Sequence, residues 1–303
     1  MQKPESTLVS KMFKEDLKQY VADNPTLVAK RPAGDGIYVL KYKKRVFFDD
    51  LWNEFLEECR GTIVDEDFNV VSRPFTKIYN YGIDKQSPKF DDDVVVDAYR
   101  KVNGFMVAVT WHKNDILVST TGSTDSDYVA MAKELIDVEA YRRVCKEWYN
   151  TTFMFECVHR NDPHIVPEKE GMYLLGYRPK DWYSHVHPDP KLLTMLSIQF
   201  GTLPVEHYRM TVKELMDLSK QVKHEGFVFY TADGTGAKIK SPYYLTKKWV
   251  ARNPRTDKLM REDIYKQIDE EYYPLIDAIR ANIVEYTAMD EQARLAWVRE
   301  KLA

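Results

Sequence analysis

The chain has little cysteine. Cys59, Cys145 and Cys157 are three in 303 residues, an odd set without Cys-x-x-Cys spacing, so neither a disulfide framework nor a cysteine-ligated zinc site is predicted. No run approaches the roughly 18 apolar residues that a membrane helix requires. The start, Met-Gln-Lys-Pro-Glu, has no apolar stretch of the kind a secretion signal carries. A reducing cytoplasm without membrane contact is the expectation. Internal repeats, low-complexity segments and Gly-rich phosphate loops of the Walker or dinucleotide type are missing as well. Nor is there an excess of one charge: a net charge of −3 argues against a protein that coats nucleic acid indiscriminately.

What is present is sheet-forming sequence followed by helix. With 44% hydrophobic and 13% aromatic residues, the chain can bury one large core and a small appendage. A helix is predicted over about 11–20, ended by Pro25, Pro32 and the Gly34/Gly36 pair. Runs of β-branched and aromatic residues then predict strands at 37–42, 45–48, 62–64, 70–71, 94–99, 105–111 and 116–120. One helix is predicted from 125 to about 148, with Ser126 or Asp127 near its cap. Strands return at 152–158, 172–177, 227–230 and 237–239, separated by a Pro-rich loop, 178–190, and a helix near 212–221. After Tyr244 the apolar residues Leu275, Ile276, Ile279 and Ile283 recur at helical spacing, and Thr287-x-x-Asp290 offers a cap for a last helix through Leu302. The predicted class is α+β with antiparallel strands over residues 1–244, followed by a small all-helical domain over 245–303.

Charge is unevenly spread. From 238 to 261 the bases Lys238, Lys240, Lys247, Lys248, Arg252, Arg255, Lys258 and Arg261 face a single acid, Asp257, whereas from 262 onward ten acids outnumber five bases. Tyr243, Tyr244 and Trp249 interleave the basic belt, a composition suited to phosphate contacts and base stacking.

The belt begins inside a group of residues that carry chemistry in a fixed order. Lys101-Val-Asn-Gly104 alone, between two strand-like runs, is a turn signal. A lysine presented on such a turn can also be a nucleophile, provided its pKa falls from about 10.4. Neighbouring cations favour the neutral amine. Strand alternation puts Lys238 and Lys240 on one face, with Ile239 toward the core, so both are candidates for that task. Glu156 ends the apolar run Phe153-Met-Phe-Glu156, and Glu225 opens Glu225-Gly-Phe-Val228. Two such carboxylates suit a hard divalent cation that also binds nucleotide phosphates. Arg60 and Lys77 flank the run 62–71 and add a bidentate fork and a point charge for phosphate. A different pair, His185-Val-His187, has the look of metal ligands but sits in the Pro-rich loop without a third partner nearby. The ordered set is what a protein needs to place a nucleoside monophosphate on a lysine nitrogen.

Through Lys101-Val-Asn-Gly104, Glu156, Glu225 and Lys238-Ile-Lys240 the chain resembles the covalent nucleotidyltransferase superfamily of ATP-dependent ligases and capping enzymes. Within it, Glu58-Cys-Arg-Gly61, Arg73-Pro-Phe-Thr-Lys77, Tyr79-Asn80, Ser241 and Tyr243-Tyr244 are similar to the phage-type RNA ligase 1 family, over roughly residues 35–245. The resemblance implies an antiparallel, two-sheet adenylation domain. It implies Lys101 as the adenylated nucleophile and Arg60, Lys77, Lys238 and Lys240 on the ATP phosphates. Glu156 would meet the ribose or a metal-bound water, Glu225 the water shell of Mg2+ or Mn2+, Tyr244 the phosphates and Tyr42 the nucleotide pocket. The implied partner is RNA with a 5′-phosphate and a 3′-hydroxyl, single-stranded or looped, acted on by a monomer in the cytoplasm, that of the host if the gene belongs to a phage.

Two departures stand out. Asn103 replaces the aspartate of the usual Lys-x-Asp-Gly, and Thr121-Gly122-Ser123 lacks the basic residue that the family places before Gly-Ser. The alternatives are a DNA ligase or a capping-type guanylyltransferase, both normally followed by an OB-fold for which 60 helical residues are too few, and a nucleic-acid end-binding protein that keeps the scaffold without reacting.

Overall fold

The computed structural model describes residues 4–182, 184, 189–252, 256–266 and 268–302. His185, His187 and Arg255 lie outside the described residues. In chain order the first elements are α1 (Pro4–Asp23), β1 (Val28–Pro32), β2 (Ile37–Tyr42), α2 (Lys44–Phe48), α3 (Glu54–Glu58), β3 (Arg60–Asp65), β4 (Val70–Ser72) and β5 (Tyr79–Asn80). Then come β6 (Val95–Arg100), β7 (Phe105–His112), β8 (Asp115–Ser119), α4 (Asp127–Leu135), α5 (Val138–Glu147), β9 (Thr151–Val158), β10 (Gly171–Pro179) and α6 (Pro190–Phe200). The chain continues with β11 (His207–Thr211), α7 (Val212–Ser219), β12 (Gly226–Tyr230), β13 (Gly236–Lys240) and α8 (Pro242–Arg252). It ends with α9 (Thr256–Leu259), α10 (Tyr273–Ala281), α11 (Ile283–Ala288) and α12 (Glu291–Lys301). These elements form two compact units. One comprises 1–77, 104–163 and 169–205; the other comprises 78–103, 164–168 and 206–303.

The first unit holds two four-stranded antiparallel sheets, ordered β1-β2-β3-β4 and β10-β9-β7-β8. Every residue of β9 is buried, as its unbroken Thr-Thr-Phe-Met-Phe-Glu-Cys-Val run requires of a central strand flanked by β7 and β10. Under the other sheet, Leu17 and Val21 of α1 join Val28, Leu40, Leu56, Val64 and Trp182 in one core.

The second unit is built on a five-stranded sheet ordered β11-β6-β12-β13-β5. Its ladders are antiparallel except the short pair in which β13 runs parallel to β5, placing Lys238 beside Asn80. Val96, Ala98, Phe227 and Phe229 pack with Val212 and Leu215 of α7. A second core in this unit gathers Val166, Tyr244, Leu245, Trp249, Tyr272, Leu275, Ile276 and Ile279.

The α+β class, the antiparallel pairing and the helical C-terminal region agree with the sequence. Among the described residues the strands form three sheets, of which β1–β4 close their own meander over α1. The predicted strand at 45–48 is the helix α2, which buries only Val46. Both edges of β2, the strand that precedes it, are already taken by β1 and β3. The single helix expected over 125–148 is two. Ile136 is extended, and Asp137 caps α5 by accepting from the amides of Glu139 and Ala140. The cap of α12 is Asp290, which accepts from Ala293 N at 2.8 Å, whereas the Thr287 hydroxyl bonds back to Ile283 O of α11.

Candidate active site

In the second unit, Lys101 follows β6 directly. Its backbone N–H donates to Gly226 O at 2.8 Å, which continues the β6–β12 pairing by one residue and fixes the lysine at the strand's end. The ammonium stands 3.0 Å from Glu225 Oε2; the lysine side chain is 23% exposed and the glutamate 4%. The same oxygen accepts from Asn103 Nδ2 at 2.7 Å, while Asn103 Oδ1 accepts from Val166 N at 3.2 Å. A backbone N–H can only donate, so the amide's orientation is settled: the NH2 group faces Glu225. Asn103 thus braces the carboxylate beside Lys101, which an aspartate could do only with a shared proton.

Gly226 sits between Glu225 and the lysine strand with φ +136°, and a Cβ there would lie 2.0 Å from Ile239 O. No other residue fits. Gly226→Ala is expected to lower the thermal midpoint by several degrees or yield insoluble protein, because strain and a backbone clash combine. An unchanged melting curve would show that this approach is looser.

Lys238 and Lys240 share the face of β13 opposite Ile239, as alternation predicts. The structure gives Lys240 a partner that the sequence did not reveal: Glu271, on the 3-10 turn Glu270–Tyr272, contacts its ammonium. Burial pushes Lys240 toward the neutral amine, but Glu271 outweighs it and the net direction is up. Burial likewise disfavours the Glu271 carboxylate, yet Lys240, Lys248 and Lys238 hold its pKa at about 2. Two residues earlier, Asp269 pairs with Lys248 at 2.5 Å.

Tyr244 is buried at the junction of both features, with the Lys240 and Lys248 ammonium groups 5.9 and 5.7 Å from its ring centroid. Burial and then Glu225 raise its phenol pKa. Of the aromatics expected to offer stacking surfaces, Tyr244 and Trp249 are instead core residues at 6% exposure. Only Tyr243 is partly exposed, 4.7 Å under Lys247. Helix α8 turns one apolar face inward, and those two rings lie on it.

Glu168 was also not foreseen. It pairs at 2.8 Å with Arg100, the residue before Lys101.

In the first unit, Glu156 of β9 is 7% exposed and its Oε1 accepts from Gly104 N at 3.0 Å. A Cβ at Gly104 would lie 2.3 Å from Cys157 O, so the turn after Lys101 needs its glycine for close approach to β9. Arg60 opens β3 and donates to Thr76 O at 3.0 Å. Lys77 lies 4.1 Å over the Trp52 ring, against which Tyr42 packs edge-on at 4.8 Å. The motif residues Glu58 and Arg73 prove to be one device. Glu58 receives bidentate bonds from both Arg73 (2.7 and 3.2 Å) and Arg178 (2.8 and 3.0 Å), all three groups being buried. Arg73 also reaches Trp182 O, and Arg178 reaches Pro74 O, so the segment leading to Lys77 is tied down. In the sequence this showed only as two motif ends 15 residues apart.

Residues 58–244 match the sequence model of the RNA ligase family. The chain belongs to that family. This RNA ligase-family chain is 30% identical over 134 residues to RNA ligase 1 of Bacteriophage TS2126, a match covering 40% of the chain and 34% of the phage protein. It thus spans about a third of that relative's length. Among solved structures, an archaeal ATP-dependent RNA ligase superposes with a TM-score of 0.60 at 15% identity, over 97% of this chain and 78% of the other. An Aquifex aeolicus protein assigned as an ATP-dependent DNA ligase gives 0.57 at 17% identity, over 95% and 76%. Both share the fold.

Proposed function

We propose that this chain is an ATP-dependent RNA ligase that works through a lysyl-AMP intermediate. The observation that carries the reading is Lys101, partly exposed at a strand end and held 3.0 Å from the buried Glu225. In the first step the Lys101 nitrogen attacks the α-phosphorus of ATP. An N–P bond forms, the bond to the β-phosphate oxygen breaks, pyrophosphate leaves and the nitrogen sheds its protons to water. Lys238, Lys240, Arg60 and Lys77 act on the charge that grows on the leaving phosphates, and Tyr244 and Tyr42 complete the nucleotide contacts. In the second step an RNA 5′-phosphate oxygen attacks that phosphorus, giving a 5′–5′ pyrophosphate link and freeing Lys101. In the third a 3′-hydroxyl attacks the RNA phosphate and AMP departs.

Among the described residues no cluster of three or more metal-ligating side chains occurs. Mg2+ or Mn2+ would be held through one or both of Glu156 and Glu225, with phosphate oxygens and water filling the shell. When bound, the ion neutralises phosphate charge. Residues 1–244 serve as the adenylyltransferase domain and 245–303 as the helical C-terminal domain. The substrate is RNA, single-stranded or looped, and the enzyme acts as a monomer.

The test is labelled ATP with a divalent metal, followed by 5′-phosphorylated single-stranded RNA, single-stranded DNA and nicked DNA duplex under identical conditions. Acid-labile label on the denatured chain and sealing of RNA above DNA are expected, with sealing falling steeply as salt rises. Sealing of nicked duplex with little action on RNA would make it a DNA ligase. RNA binding without any label would leave an end-binding protein.

A further inference from the structure

We propose that Lys41 is a phosphate-binding residue, its amine standing in at Gly122 for the basic side chain that Thr121 does not provide. The inference rests on the reading above and concerns the first unit alone. A Cβ added to Gly122 would lie 2.7 Å from Lys41 Nζ, so the lysine reaches across from β2 and lays its amine directly against this glycine. On β2 and β3, Lys41 stands opposite Arg60 in the ladder, just after a register shift at Leu40/Lys41. Like charges facing each other across a ladder are unfavourable unless something anionic lies between or above them.

No carboxylate meets that need. The Lys41 side chain makes no hydrogen bond or ion pair among the described residues. Burial, then Arg31, shifts its pKa downward, with no acid acting in opposition. A half-buried ammonium beside Arg31 with no side-chain partner differs from the other inward lysines: Lys240 has Glu271, Lys248 has Asp269, and Lys180, which has no acid either, donates to Trp111 O. The fold brings the surroundings close as well, since a Cβ on Gly61, next to Arg60, would lie 2.7 Å from Thr121 Cα. Lys41, Arg60 and the backbone of 120–123 thus frame one small, cationic, glycine-floored surface. Its chemistry fits a phosphate group, and in the ligase reading that group belongs to ATP or to departing pyrophosphate.

Two measurements test this on the full chain. Lys41→Met should lower the kcat/KM of self-adenylation by about 100-fold or more, as when one positioned donor to developing charge is removed, whereas Lys41→Arg should retain most of it. Adding Thr121→Lys to Lys41→Met should recover at least part of the loss. Wild-type efficiency in Lys41→Met, or no recovery on moving the charge to 121, overturns the proposal. The second measurement needs no ligase activity: acylation of Lys41, followed by peptide mass mapping, should be slowed by inorganic pyrophosphate but not by sodium chloride of equal ionic strength. Indifference to pyrophosphate overturns the site even if the chain ligates. Protection of Lys41 in a chain that never takes up AMP would uphold the site and refute the ligase reading.

Discussion

Lys101→Ala should carry no AMP after incubation with labelled ATP and metal, a loss on the order of 10^4-fold or more, as when a covalent nucleophile is removed elsewhere. Lys240 and Lys248 are engaged with Glu271 and Asp269, and Lys101 alone of these three is paired with the carboxylate at the Gly226 turn. The variant should nevertheless join RNA that already carries a 5′-adenylate, because the third step makes and breaks no bond to lysine. Normal adduct yield in Lys101→Ala would assign the nucleophile elsewhere. Failure on pre-adenylated RNA together with a normal melting curve would mean that Lys101 also acts in sealing.

Glu58→Gln is expected to be the most destabilising isosteric substitution in the chain. It leaves Arg73 and Arg178 buried with one neutral acceptor between them, and breaking a buried ion pair in this way costs about 3–5 kcal/mol. At roughly 2–4 °C per kcal/mol for a unit of this size, the thermal midpoint should fall by about 10 °C. The pH dependence gives a second check. Burial disfavours the Glu58 carboxylate, but Arg178 and Arg73 prevail and its folded pKa lies below the ordinary carboxylate value. Its contribution is therefore complete above the unfolded pKa, about 4.3, and is lost as pH falls through the lower folded value. Wild type should lose stability over that acid window and Glu58→Gln should lose less. Parallel acid-unfolding curves, or a midpoint shift under about 2 °C, would show that the triad is not what holds Arg73.

Much of the fold was legible because it depends on local pattern. The runs at 37–42, 105–111 and 152–158 became β2, β7 and β9 with boundaries within a residue or two, since alternation or an unbroken apolar run leaves few other solutions. Helix α6 was missed although its signals are in the chain: Asp189 caps it, Pro190 opens it and Gly201 closes it at φ +69°. The Pro-rich loop around it obscured them. Strands β1 and β5 carried too little pattern to be seen, one ending in the exposed Lys30-Arg-Pro32 and the other two residues long.

The site divides along the same line. Sequence by itself singled out the ordered set Lys101, Glu156, Glu225, Lys238 and Lys240 as candidates, because each lies on a motif whose spacing is local and whose residue types the proposed chemistry requires. It could not say what each charge meets. The counter-ion of Lys240 is Glu271, 31 positions away, and that of Arg73 is shared with Arg178, 105 positions on. Lys41 comes to Gly122 from a strand 81 residues earlier. Such pairings are chosen by which buried charges the packed sheets and helices bring together, and a buried charge must be matched by whatever neighbour the tertiary structure supplies. No periodicity records that choice, so the candidate residues could be read from the sequence and their electrostatic partners only from the fold.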